Sequence, residues 1–273
     1  SVAVGKFIRF RPDIVPGDFF CIFPERSWQL SKIKLSEIYK QNKKSLKKQY
    51  QIGKKTLNTY EVIPNMPHRS IIEEIGNSVT HGLGAIFSVV SYILMLLASD
   101  TSKEYIGASI YFIGLFFMFI MSCLYHAFPY QSMVKRVFRR FDYSSIYLLI
   151  GATFAPILLC YIGGIKGLIF LIVQWVIIGI GITLIAIFGP SKLKYIHFPL
   201  YFLLGWSGLF FLPQMFSNNF AFFMLILSGG ITYSLGIIPF IIDKKVSHFI
   251  WHFFVIAGAV IQWIGIYIYI YLK

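Results

Sequence analysis

The sequence predicts an all-α integral membrane protein of seven transmembrane helices, its N-terminus cytoplasmic and its C-terminus outside. Hydrophobic residues fill 57% of the 273 positions and charged residues only 13%, with a mean hydropathy of +0.70. Soluble domains of this length carry far more charge. Seven apolar runs follow residue 70, each near the roughly 20 residues that cross hydrocarbon as a helix. Basic residues collect on alternate loops between those runs, which sets the orientation.

Residues 1–27 hold Pro12, Pro16 and Pro24 without a clear period and read as irregular. They carry Lys6, Arg9 and Arg11 but no apolar core followed by small residues, so no secretory signal is expected. Residues 28–56 place Leu35, Ile38, Tyr39, Leu46 and Tyr50 among many lysines, a loose amphipathic helix. Such a tail either lies on anionic lipid headgroups or stays solvated. Residues 61–70, with Pro64 and Pro67, read as a linker, giving a basic tail and linker over 1–70 and a membrane domain over 71–273. The net charge of +14 sits beside apolar spans and indicates membrane lipids rather than nucleic acid as partners. Cys21, Cys123 and Cys160 form no close pair, which argues against a disulfide framework or a thiolate metal site.

The expected spans are 78–98, 105–126, 144–162, 167–188, 195–214, 220–241 and 248–272. Pro156, Pro199, Pro213 and Pro239 fall inside or at the ends of spans, as membrane helices tolerate. Loops with Lys135, Arg136, Arg139 and Arg140, with Lys192 and Lys194, and with Lys244 and Lys245 share the side of the tail. The other side holds Lys103, Lys166 and Lys273. The positive-inside rule makes the tail side cytoplasmic and predicts a multi-pass protein of the cell (inner or plasma) membrane. The oligomeric state is left open.

Polar groups converge at one depth near that cytoplasmic end. Span one enters through Glu74, Asn77 and His81, span two ends on Ser122 and His126, span three starts through Asp142, and span seven through His248 and His252. Ionisable groups in a membrane segment are costly and mark function. Two imidazoles four residues apart share a helix face, and a third from span two completes a set able to bind Zn2+ with one position open. His126, His248 and His252 are therefore the expected ligands, with His197 as the rival third. Asp142 is placed as general base and Ser122 as an oxyanion donor, one turn deeper than His126. The plainer alternatives pair Asp142 with Arg139 or Arg140 and bond Ser122 back to its own helix. Glu74, Asn77 and His81 read as supporting groups behind the ligands. Cys123 is expected to face away from the site, about 100° from Ser122 around the helix. Gln174, Gln214 and Gln262 read as interhelical hydrogen-bonding residues.

These motifs resemble the hemolysin III family, the bacterial branch of the progestin and adipoQ receptor superfamily. The match rests on Glu74-x2-Asn77-x3-His81, Ser122-x3-His126, Asp142-Tyr-Ser-Ser-Ile-Tyr followed by Gly151-Ala-Thr-Phe-Ala-Pro156, and His248-x3-His252, over residues 71–273. The resemblance implies seven helices, a zinc ion on the three histidines, and Asp142 and Ser122 beside it. Its receptor and ceramidase branches are associated with hydrolysis of lipid amides, and its bacterial members with cytolysis. The expected function is a zinc-dependent intramembrane hydrolase of lipid amides or esters. The alternative is a cytolytic or membrane-homeostasis protein whose zinc is structural.

Overall fold

The computed structural model describes residues 40–41, 43–45, 47–48, 66–242 and 244–272. The chain divides into two compact units, Ser1–Val62 and Ile63–Lys273. In the first, the described residues between Lys40 and Lys48 are helical and exposed. The remaining expectations for residues 1–65 lie outside the described residues.

In the second unit helices joined by short connections make up the described residues, and seven helical segments are long and apolar enough to cross a membrane. Its first helix, α1 (Ile71–Leu97), starts well before the expected residue 78. Ser70 accepts the Glu73 N–H while the Glu73 carboxylate accepts the Ser70 N–H, a reciprocal cap that holds the polar first turns helical. Acidic residues are also favoured at a helix N-terminus. The same device, Thr101 with Glu104, starts α2 (Ser102–Ala127).

The third span corrects the expected loop. Ser132 accepts the Lys135 N–H and opens α3 (Met133–Pro156), so Lys135, Arg136, Arg139 and Arg140 form its first turns rather than a connection. Pro156 has no N–H to continue the ladder, and the helix passes into a wider π turn over Ile157–Ile162. After α4 (Gly164–Phe188), the fifth span is broken: α5 (Lys194–Trp206), a 3-10 turn over Ser207–Phe211, then α6 (Leu212–Asn218). The last spans are α7 (Phe220–Ile242) and α8 (Ser247–Ile266), the latter finishing in a π turn over Tyr267–Tyr271.

Small residues let the helices approach closely. A Cβ on Gly114 of α2 would lie 2.2 Å from the Ala152 Cβ of α3. Tyr111, Leu115, Phe119, Ala152, Val255 and Ile266 are buried between α1, α2, α3 and α8. Gln174 of α4 donates to the Ser207 hydroxyl at 3.2 Å, and Gln262 of α8 to the Ile226 carbonyl at 3.4 Å. Gln214 plays no such part: the break in the fifth span leaves its side chain exposed on α6.

Candidate metal centre

Two helices bring three imidazoles together at one end of the bundle. His126 lies in the last turn of α2, which Phe128 closes just before Pro129. His248 and His252 lie in the first turns of α8, four residues apart and hence on one face. One ring nitrogen from each of the three lies within 4.8 Å of the others. The Nε2 atoms of His126 and His248 are 3.3 Å apart. Zn–N bonds of 2.0–2.1 Å in a tetrahedron would separate two ligand nitrogens by about 3.3–3.4 Å. One edge of such a site is thus already formed. The expected rival, His197, is buried elsewhere, its Nδ1 2.9 Å from the Tyr147 hydroxyl.

The surrounding groups orient the rings. Glu74 Oε2 lies 2.6 Å from His126 Nδ1, so the carboxylate accepts that N–H and leaves Nε2 to face the centre. Asn77 Nδ2 is 3.4 Å from the same Nδ1. The Thr80 hydroxyl donates to the Gly76 and Asn77 carbonyls and stands 3.4 Å from His252 Nδ1, whose N–H it is placed to accept. His81 stacks on His252 with ring centres 3.7 Å apart and 20° between planes. Both His81 nitrogens are buried without a hydrogen-bond partner among the described residues. Sequence reasoning missed Thr80, and it missed Lys135, whose Nζ lies 3.1 Å from Glu74 Oε1 although the residue is fully buried. The signal for Lys135 was present: Pro129 strips a carbonyl of its donor six residues before a lysine.

A cavity opens beside the imidazoles. His81, His248, His252, Ser122 and Asp142 lie on its wall, and aromatic and aliphatic side chains such as Phe198, Tyr201, Trp206 and Trp251 form most of the rest. Ser122 is 3% exposed. The Asp142 carboxylate faces Ser122, His126 and the Arg139 and Arg69 guanidinium groups, so it shares its surroundings with two arginines as well as with one of the histidines. Cys123 points the other way, its Sγ 3.4 Å from the Ser78 hydroxyl of α1. The donor set suits a borderline divalent ion: three imidazoles, one backed by a carboxylate, with room on the cavity side for a further ligand.

A family model described as "Haemolysin-III related" matches residues 69–263. "Hemolysin-3" of Bacillus cereus is 31% identical over 203 residues, 72% of this chain and 92% of that protein. The "Hemolysin-3 homolog" of Bacillus subtilis (strain 168) is 29% identical over 196 residues, 70% of this chain and 91% of its own. "Monocyte to macrophage differentiation factor" of Homo sapiens is 29% identical over 208 residues, 73% of this chain and 85% of its own. The matched region takes in α1 to α7 and most of α8, with all three clustered histidines, and on that extent the chain belongs to the haemolysin-III related family.

Proposed function

We propose that this protein is a zinc-dependent hydrolase of lipid amides or esters, working inside the membrane from the cytoplasmic end of its helices. The observation that carries the reading is a carboxylate-backed trio of imidazoles beside an aromatic-walled cavity that also presents Asp142 and Ser122. When bound, a divalent ion at the trio supplies Lewis acidity to the reacting carbonyl. Asp142 takes the proton of the attacking water and returns it to the leaving nitrogen or oxygen. Ser122 donates a hydrogen bond to the carbonyl oxygen as it gains charge. The apolar wall receives the acyl chain and keeps bulk water from it. The cytoplasmic placement is supported by Arg136, Arg140, Lys192, Lys194, Lys244 and Lys245 at the same end. Anionic headgroups are then the partners of that end and of the basic tail.

The test is metal content by elemental analysis alongside turnover of long-chain lipid amides, for the wild type and a His248→Ala, His252→Ala double variant. Loss of both metal and turnover supports the reading. Dye release from liposomes that ignores the histidine substitutions supports instead the lysis that the names of the Bacillus relatives suggest. Metal retained with no turnover leaves a structural ion.

A further inference from the structure

Lys135 takes no part in the reaction just described, yet it is completely buried at the level of the histidines. Its ammonium group meets three acceptors: the Tyr125 carbonyl at 3.0 Å, the Phe128 carbonyl at 3.0 Å and Glu74 Oε1 at 3.1 Å. An ammonium has three N–H donors, so each has its own partner. The Tyr125 ring also lies beneath the charge, its centre 4.8 Å away.

The two carbonyls stand at the end of α2 for a definite reason. In a continuing helix Tyr125 O would accept from the residue four positions on, but that residue is Pro129, which has no N–H. Phe128 closes the helix, so its carbonyl also lies past the ladder. Lys135, from α3, fills the place of the missing donors.

The third contact reaches the metal centre. Glu74 spans the space between Lys135 and His126, one oxygen to each. Lys135 compensates the carboxylate's charge in a place poor in water and prevents it from turning away from the imidazole. We infer that Lys135 is a positioning residue of the metal centre, fixing His126 through Glu74 so that its Nε2 points at the ion. The inference rests on the three histidines holding a metal and is independent of hydrolysis. An arginine would not serve equally, because its donors lie in a flat fork rather than around one point.

The test uses the full chain in lipid nanodiscs, with Co2+ as the probe and its visible absorption as the report on ligand geometry. Wild type, Lys135→Met, Lys135→Arg, Glu74→Gln and the Lys135→Met, Glu74→Gln double variant are titrated, and each is melted in the presence of chelator. Lys135→Met and Glu74→Gln are each expected to weaken Co2+ binding about 10- to 100-fold. The double variant is expected to be no weaker than the worse single one, because both act along one chain of contacts. Lys135→Arg keeps the charge and carries the test if the methionine variant does not fold; its expected loss is about 10-fold, with an altered absorption band. Wild-type affinity in a folded Lys135 variant, or losses that add in the double variant, overturns the inference and leaves Lys135 a helix cap, seen only in the melting temperature. A wild type that takes up no Co2+ overturns the metal reading together with it, an outcome distinct from the previous two.

Discussion

The Glu73 carboxylate accepts the backbone N–H of Val246, a residue 173 positions later in the chain. Its other oxygen accepts from Ser70 at the start of α1. One side chain therefore caps the start of the first helix and fastens the turn from which His248 and His252 rise. Val246 sits at φ 70°, a left-handed conformation that costs a β-branched residue about 1–2 kcal/mol.

Glu73→Ala should remove both the cap and the fastening. The cap alone is worth about 1 kcal/mol. Metal affinity should fall as well, since the ligand-bearing turn loses its anchor, and a chelator-competition titration beside a thermal melt would register the two effects separately.

Val246→Gly should raise thermal stability, because glycine adopts this backbone conformation without a steric penalty and keeps the N–H for Glu73. Val246→Pro should do the reverse, as it removes that N–H and forbids the angle. Melting curves of the two variants in one lipid composition decide the matter; equal shifts in one direction would refute it.

Asp142→Asn should leave metal stoichiometry at the wild-type level and lower turnover about 10²- to 10⁴-fold, the range for a lost general base. Ser122→Ala should do so by about 10²- to 10³-fold, the cost of one oxyanion donor. Elemental analysis must accompany the rates, so that a loss of metal is not read as a loss of chemistry.

Gly205 and Gly230 line the large cavity and also a second, smaller one, and a Cβ on either meets nothing within 4 Å. Leucine at position 230 should therefore be accepted without disturbing the fold and divide the space. Turnover of short-chain lipid amides should persist while that of long-chain ones drops. A uniform drop across chain lengths would contradict this view of the junction.

Much of this was legible in the residues. Apolar runs located all seven spans because only long apolar helices satisfy their backbone in lipid. The histidines could be gathered because spans one, three and seven begin where span two ends, and the i, i+4 spacing gave the shared face of His248 and His252. The start of α1 was read too late because Glu73, Glu74 and Asn77 look like a loop in a hydropathy pattern, whereas a cap and inward contacts hold them helical. Lys135 was counted among loop charges because composition does not reveal that Pro129 leaves a carbonyl waiting for it. Thr80 escaped notice since a threonine on an apolar helix usually bonds only to its own backbone, as this one also does.

His126 is held by Glu74 and His252 faces Thr80, but His248 Nδ1 has no hydrogen-bond partner among the described residues. Two of the rings are oriented from behind, while the third is placed by its neighbours, the His126 Nε2 3.3 Å from its own and the Phe240 ring. His248 is thus the ligand with no second partner to fix its ring, and the one an ion would release first. Residence time should consequently answer to the room around that one ring, bordered by Phe240 5.7 Å away, more than to the strength of the other two bonds.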